Sequence, residues 1–287
     1  MRLGLLSAAV AVLVGNLTGA ATDTRWTFSA DPGTRIPAGV STEVLQLPDG
    51  SLLAYVGTLR GELVYRSTDG LAFTEVSAHT PAGNDPAIVG LPDGRYRMYF
   101  NVCNPCAGAD SGKEIRSAVS SDGLNWTTEP GVRLVEGTFR AGGVPDAVVL
   151  PDGRVRIYYL PSLDDEGVAS ATSLDGLTFT ADPGYRLTGG YVDPAVLRLP
   201  DGTWLMVVSR TPREQQRLYL ARSTDGLAWT VDPAPVLQPA ARGNALDPTL
   251  LPLPDGRIRV YYSAASAGQQ LTGPYTVESG VLAQVAL

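Results

Sequence analysis

One four-residue motif, Leu-Pro-Asp-Gly, recurs five times along the chain and restricts the fold more than any other feature. Its copies lie 44 to 59 residues apart and begin at Leu47, Leu91, Leu150, Leu199 and Leu253. Proline presets one backbone angle and glycine supplies a positive φ, so each copy predicts a tight turn. Apolar, β-rich stretches flank the copies, such as 194–197 and 204–208 around the fourth, and they make each turn a β-hairpin. A period in this range indicates a repeat architecture.

A second motif, Ser-x-Asp-Gly with an aromatic residue three positions after the glycine, follows each of the first four copies. It begins at Ser67, Ser120, Ser173 and Ser223, and its aromatic residues are Phe73, Trp126, Phe179 and Trp229. Serine and aspartate side chains can accept hydrogen bonds from turn amides, and the aromatic ring can anchor the next strand. Each unit therefore predicts four strands joined as a meander, which is a blade of a β-propeller.

The two ends of the chain complement each other. The fifth unit stops after a third strand, within 280–287, and lacks the second motif, whereas residues 25–33 resemble the fourth-strand segment 177–184 of the third unit. We therefore predict an all-β, five-bladed β-propeller with four-stranded meander blades, whose ring is closed by the N-terminal strand completing the last blade. An open β-sandwich with recurrent turns is the alternative, and no helical period is visible.

Residues 1–21 predict a secretory signal peptide. They begin with the basic Arg2, continue through an uncharged apolar run and end in small residues, so cleavage is expected near Ala20/Ala21. The apolar run is too short to span a bilayer. We expect one propeller domain over 22–287, secreted or periplasmic and monomeric. The net charge of −7 makes nucleic acid and anionic membranes poor partners.

The chain has two cysteines, Cys103 and Cys106, in the sequence Cys-Asn-Pro-Cys. In an exported protein this pair is expected to form a small local disulfide. A redox motif would need a helix start, and a metal site would need further ligands, whereas the single histidine, His79, is distant in sequence. We expect no cofactor and no metal.

An acidic residue lies near the start of every innermost strand, on the face opposite the two recurrent turns. Three aspartates lie six residues before the leucine of their turn, and a glutamate and a fourth aspartate lie four residues before it: Asp85, Asp193 and Asp247, then Glu43 and Asp146. Because strand side chains alternate with period two, these even offsets predict one shared side. Such a ring could supply the acid and base for glycosidic bond cleavage. Alternatively, Asp before Pro initiates turns and accepts hydrogen bonds from backbone amides, and the repeat copies it into each blade without any chemistry.

Two further groups of residues are candidates for substrate binding. Tyr99, Tyr159 and Tyr262 on the second strands could stack on sugar rings, or could pack between blades. Three arginines each follow a proline by three residues and could clamp a carboxylate, or could belong to the blade repeat: Arg35, Arg133 and Arg186.

Over residues 22–287 the chain resembles the five-bladed propeller glycoside hydrolases, the superfamily of arabinanases, β-xylosidases and invertase-like fructosidases. The resemblance rests on Asp-Pro at strand starts and on the two recurrent turns. It implies an aspartate base, an aspartate that adjusts pKa and a glutamate acid on different blades, acting on carbohydrate. The four ring aspartates match the aspartate type. Glu43 is the only ring glutamate, and its place in the first unit departs from the usual order.

The turns also resemble the Asp-box of sialidases, and Thr34-Arg35-Ile36-Pro37 resembles the sialidase Phe-Arg-Ile-Pro motif with its substrate-binding arginine. The sialidase Asp-box has one residue between Asp and Gly, which is absent here, and sialidases have six blades. Three functions therefore stand: a secreted glycoside hydrolase acting on an extracellular glycan, a non-catalytic propeller that binds carbohydrate or protein, and a sialidase-like exo-glycosidase.

Overall fold

The computed structural model describes residues 24–58, 61–103, 113–134, 143–161, 167–210, 215–238, 243–265 and 273–286. The strands in chain order are β1 (Thr24–Ala30), β2 (Val40–Gln46), β3 (Leu52–Thr58), β4 (Gly61–Ser67), β5 (Thr74–Val76), β6 (Asn84–Gly90), β7 (Tyr96–Cys103), β8 (Lys113–Ser120), β9 (Thr127–Thr128), β10 (Gly143–Val149), β11 (Val155–Leu160), β12 (Gly167–Ser173), β13 (Thr180–Ala181), β14 (Leu187–Thr188), β15 (Tyr191–Arg198), β16 (Trp204–Arg210), β17 (Arg217–Ser223), β18 (Thr230–Val231), β19 (Asn244–Pro252), β20 (Ile258–Ala265) and β21 (Thr276–Ala286).

These strands form five antiparallel sheets, which are the five blades of the predicted β-propeller. The first four blades begin with β2, β6, β10 and β15, and each continues through the next three strands in chain order, with β14 added beside β12. The fifth blade has the order β19-β20-β21-β1. No helix in the described ranges is long and apolar enough to cross a membrane.

The N-terminal strand closes the ring as predicted. β1 pairs antiparallel with β21 over its whole length, from Thr24 opposite Ala286 to Ala30 opposite Gly280. The last blade is thus assembled from both ends of the chain.

Both recurrent turns form through the side chains that the sequence indicated. In the first Leu-Pro-Asp-Gly turn, the Gly50 amide donates to the Leu47 carbonyl, and Gly50 has a φ of 83°. In the first Ser-x-Asp-Gly turn, Ser67 Oγ accepts from the Gly70 amide at 2.9 Å, and Asp69 Oδ1 accepts from two amides further on. The other copies repeat these contacts.

Buried apolar side chains form five clusters, one between each pair of neighbouring blades. A tyrosine on the second strand of four blades reaches across each seam and donates to the glycine carbonyl of the next blade's Ser-x-Asp-Gly turn, at 2.5 to 2.9 Å. These latch tyrosines are Tyr55, Tyr99, Tyr158 and Tyr261. The equivalent residue of the fourth blade is Val207, opposite Ala195 in the register. The fifth blade lacks the Ser-x-Asp-Gly turn, so a tyrosine there would have no carbonyl to bind.

The period-two alternation assumed for the ring acids is interrupted in every innermost strand. Each first strand shifts its register by a bulge before the apolar part begins, for example between Asn84 and Ala87. Asp85, Asp193 and Asp247 lie within the bulge, whereas Glu43 and Asp146 are the first paired residues after it, so parity alone does not relate one set to the other. All five acids nevertheless line one cavity.

Two predictions fall outside what the structure describes. The signal peptide, residues 1–21, precedes the described residues, and so does its cleavage point. Cys106 and the side chain of Cys103 are also not described, so the disulfide stays a prediction.

Candidate functional site

The first strands of the five blades surround a central channel of about 380 Å³ lined by all five predicted acids. The residue six positions before each turn leucine has a left-handed backbone, with φ between 46° and 54°. We call these residues the mouth tier: Ser41, Asp85, Val144, Asp193 and Asp247. The residues two positions further along form the lower tier: Glu43, Ala87, Asp146, Ala195 and Thr249.

Two aspartates of the mouth tier form a coupled pair. Both carboxyl groups are buried in the channel wall, and Asp247 Oδ2 accepts a hydrogen bond from the Ser41 hydroxyl at 3.2 Å. Burial, with the charge of Asp85, raises the pKa of Asp193 to about 6. Burial and the charges of Asp193 and Asp85 hold the pKa of Asp247 well above its ordinary value. Both carboxyl groups therefore hold a proton to higher pH than an ordinary aspartate does.

Asp85 has a different environment from that pair. Its Oδ2 accepts a hydrogen bond from the Asn101 amide at 2.7 Å and lies 3.3 Å from the Lys113 ammonium group. Both partners approach closely because the neighbouring residue of the next blade is Gly143, where a Cβ would lie 2.8 Å from Asn101 Nδ2. Asp85 is thus an ion-paired carboxylate beside two carboxyl groups whose pKa values are raised.

The lower tier uses its acids to join blades. Glu43 accepts from the Ile88 amide of the second blade at 3.1 Å and from the Thr249 hydroxyl of the fifth at 2.8 Å. Asp146 accepts from the Val196 amide of the fourth blade. Burial raises the pKa of Glu43 to about 7, and burial with the charge of Glu43 raises that of Asp146 well above its ordinary value. These contacts match the structural alternative in which acids hold strand starts.

A side pocket of about 590 Å³ adjoins the mouth tier, because Ser41 and Asp85 line both cavities. Apolar and aromatic side chains dominate its wall, with the Lys113 ammonium group beside Asp85; the other main contacts are Val40, Leu63, Tyr65 and Tyr275. Burial, together with the charges of Asp247 and Asp193, raises the pKa of the Tyr275 phenol. A concave, mainly apolar pocket with a few converging polar groups is typical of a small-molecule site.

Sequence reasoning missed one further carboxyl near the site, that of Glu62 at the start of β4. Its Oε1 is buried and has no hydrogen-bond partner among the described residues. Burial, with the charges of Asp85 and Glu43, raises the pKa of Glu62 to about 8. Glu62 lies on a third strand and outside both repeated motifs, so no signal in the sequence identified it. Asn101 and Lys113, the two partners of Asp85, flank the loop between the second and third strands of their blade. That loop differs from blade to blade, and this difference was the one sequence feature that indicated functional residues there.

The predicted tyrosines lie in the seams between blades rather than in the channel wall. Tyr99 is a latch tyrosine whose hydroxyl donates to Gly176 at 2.9 Å. Tyr159 is buried in the cluster between the second and third blades. Tyr262 packs edge-on to Phe28 and donates to Glu278 at 3.2 Å. Their positions are those of the packing alternative.

The three predicted arginines bind backbone carbonyl groups. Each donates to carbonyls of its own Pro-x-x-Arg turn and reaches the residue after the next blade's Ser-x-Asp-Gly motif: Arg35 to Leu71, Arg133 to Leu177 and Arg186 to Leu227, at 3.0 to 3.2 Å. None of the three lines the channel or the side pocket. The repeat thus uses them to join neighbouring blades.

No group of three or more His, Cys, Asp or Glu side chains within the described ranges has the arrangement of a metal site.

No protein-family model matches the chain, and no curated protein matches it. Among solved structures, the chain is similar to a thermostable family-43 glycoside hydrolase, with a TM-score of 0.70 and 16% identity over 87% of this chain and 91% of that one. It is also similar to two proteins of Bacteroides thetaiotaomicron. One is an endo-1,4-β-xylanase, with a TM-score of 0.63 and 14% identity over 90% and 97% of the chains. The other is an endo-arabinase, with a TM-score of 0.63 and 15% identity over 89% and 98%.

These structural neighbours are five-bladed propeller glycoside hydrolases, so the predicted resemblance is confirmed for the fold. The five blades differ from the six that the resemblance to sialidases implies.

Proposed function

We propose that this protein is a secreted glycoside hydrolase that cleaves a glycosidic bond of an extracellular glycan by carboxylate acid–base chemistry. The observation that carries the proposal is the mouth tier, where the buried Asp193 and Asp247 line one channel with the ion-paired Asp85. Glycosidic bond cleavage needs one carboxylic acid to protonate the leaving oxygen and one carboxylate to act as base or nucleophile.

The two environments support a division of roles. The Asp193–Asp247 pair, whose pKa values are raised, is the proton donor to the leaving oxygen. Asp85, whose charge is balanced by Lys113, is the base or nucleophile. Glu43 and Asp146 support the tier from below through their contacts to neighbouring blades. The side pocket, with Tyr65 and Tyr275 in its wall, would receive the sugar next to Asp85.

The substrate class follows from the pocket and from the fold. Apolar and aromatic walls suit the C–H faces of a pyranose or furanose ring, and the polar groups at the mouth suit its hydroxyls. The similar structures are described as a xylanase and an arabinase, so arabinan and xylan lead the panel of substrates to test. The predicted signal peptide supports an extracellular substrate.

The test replaces each acid by its uncharged isostere and measures turnover and melting temperature together. Asp85→Asn, Asp193→Asn and Asp247→Asn should lower kcat about 10²-fold or more, with little change in melting temperature. Asp146→Asn and Glu43→Gln are the matched controls, since they should change stability more than kcat. The proposal fails if arabinan, xylan, fructan and sialoside substrates all remain intact, or if only the lower-tier variants lose turnover.

The pH profile provides a second check. The proton donor works only while protonated, so activity should decline as the pH rises through the raised pKa values of the pair, of which that of Asp193 is about 6.

Two other functions are separable by the same experiments. A non-catalytic propeller that binds carbohydrate or protein would give no hydrolysis with any substrate, while ligand affinity could still depend on Asp85. A sialidase-like exo-glycosidase would need a positively charged group for the sialic carboxylate, and Lys113, rather than Arg35, is the cation that lines the side pocket.

A further inference from the structure

The seam between the fourth and fifth blades differs from the other four because no turn joins the last two strands of the fifth blade, β21 and β1. At the other seams the next blade's Ser-x-Asp-Gly turn packs against the preceding second strand, as Gly70 does beside Arg259 and Tyr261. The fifth blade has no such turn, since β21 and β1 come from opposite ends of the chain. A cavity of about 580 Å³ lies at this seam and borders Leu205.

Three of the chain's four tryptophans line this cavity, which we call the closure notch. Trp204 is buried, and Trp26 and Trp229 are half-buried. Hydroxyl, amide and guanidinium groups complete the wall: Thr203, Arg222, Ser223, Thr224, Thr230 and Gln284. The notch therefore combines indole side chains with polar groups.

We propose that the closure notch is a second carbohydrate-binding site, which holds sugar rings of an extracellular polysaccharide. A sugar ring has apolar C–H faces that pack on indole and hydroxyl groups at its edge that hydrogen-bond to polar side chains. The volume of the notch falls within the range of about 300–1,000 Å³ found for small-ligand pockets. A neutral glycan needs no cationic surface for binding, so the net charge of −7 of this chain does not oppose it.

The notch and the mouth tier lie on opposite faces of the disc. The residues of the notch belong to turns and strand ends such as Leu199, Thr224 and Ala228, whereas Asp85 and its neighbours lie at strand starts. A polysaccharide held at the notch would keep other stretches of the same polymer at a high effective concentration near the catalytic face. This consequence rests on the proposed hydrolysis, but sugar binding at the notch does not.

The test fills the notch without removing a packed side chain. Ala228 lines the notch and is exposed, so Ala228→Arg places a long side chain in it and leaves the core intact. The matched control is Ala72→Arg, at the same exposed position of the first blade's turn, where there is no such cavity among the described residues. Binding is measured by native gel retardation in soluble arabinan, xylan and galactan, and by tryptophan fluorescence on adding the corresponding oligosaccharides.

The unmodified protein should be retarded by at least one polysaccharide, and oligosaccharides of that polymer should change its tryptophan fluorescence. Ala228→Arg should weaken this binding about tenfold or more, equivalent to ~1.4 kcal/mol, while Ala72→Arg should not. Hydrolysis of a small aryl glycoside should be the same in both variants. Equal retardation of both variants, or no retardation by any of the three polymers, overturns the proposal. Retardation without hydrolysis would refute the proposed enzyme while leaving the notch proposal standing.

Discussion

Removing the hydroxyl group from a latch tyrosine should destabilise the propeller. The loss of stability should depend on whether the glycine carbonyl that accepted its hydrogen bond keeps another donor. The four latch hydroxyls are buried, and each donates to a glycine carbonyl of the next blade. Gly123 O also accepts from Trp126 Nε1 at 3.1 Å, and Gly226 O from Arg156 Nη1 at 3.4 Å. Gly176 O and Gly70 O have no second side-chain donor in the described part of the chain.

The four Tyr→Phe variants should therefore fall into two classes. Tyr99→Phe and Tyr261→Phe leave a buried carbonyl without a side-chain donor and should cost about 1–3 kcal/mol of unfolding free energy. Tyr55→Phe and Tyr158→Phe leave a carbonyl that keeps another donor and should cost about 0.5–1.5 kcal/mol, the net value of an ordinary hydrogen bond. Urea unfolding followed by tryptophan fluorescence measures both.

Two control variants test whether the loss of stability comes from the hydrogen bond across the seam. Tyr96→Phe lies on the same strand as Tyr99, and the structure gives its hydroxyl no hydrogen bond within the described ranges, so the change should be nearly neutral. Val207→Tyr inserts a hydroxyl where the fifth blade offers no turn carbonyl, and it should destabilise by overpacking and by burying an unpaired group, about 1–3 kcal/mol. The reasoning is refuted if the two classes lose equal stability, or if Val207→Tyr stabilises the protein.

Two further predictions concern the whole fold. Burial raises the pKa of Glu43 to about 7 and that of Glu62 to about 8, from an ordinary value of 4.5, so the folded chain holds these protons more tightly than the unfolded chain does. The free energy of unfolding should therefore decrease as the pH rises from about 4.5 to about 8. Urea unfolding at pH 5 and pH 8 should show a smaller decrease for Glu62→Gln than for the unmodified protein, and an equal decrease would contradict this. A protein without residues 21–30 would leave the edge of β21 unpaired, and we expect light scattering to show that it aggregates. A stable monomer would contradict the role of β1 in closure.

The sequence predicted the scaffold well because the scaffold depends on local chemistry. The turns of both motifs are built from side chains that bind amides two or three residues away, such as Asp69 with Leu71 and Ala72. Ring closure was equally predictable, because residues 25–33 resemble the fourth-strand segment 177–184 of the third blade, and the fifth unit has no such segment of its own. These features need no knowledge of distant contacts.

The site was less predictable because its properties arise between blades. The contacts that distinguish Asp85 from Asp193 come from Lys113 and Asp247, and Glu62 became notable only through its burial beside other acids. The acids fall into two tiers because each first strand contains a bulge, and the alternation of side chains in the sequence does not show where a bulge lies. The three tyrosines were chosen for their chemistry, whereas their packing in the seams between blades determines their role.

The mouth-tier backbone bears on why aspartates occur there. All five blades impose a φ between 46° and 54° at this position, and residues of three types occupy it: aspartate, Ser41 and Val144. A β-branched valine is among the least suitable residues for a positive φ. Because the fold forms with Val144, a strand start does not require an acid, and the strand-start explanation does not account for Asp85, Asp193 and Asp247.

This argument leads to a paired prediction on stability and activity. Val144→Asn should relieve a strained backbone and stabilise the protein by up to about 1 kcal/mol, since asparagine tolerates the left-handed region. Asp193→Ser, which copies the residue of the first blade, should keep a melting temperature close to that of the unmodified protein and lose turnover. Thermal unfolding and hydrolysis of the best glycan substrate measure the two effects. If Asp193→Ser instead unfolds the protein, the backbone needs the acid at this position. The aspartates of the mouth tier would then be explained by folding and not by chemistry.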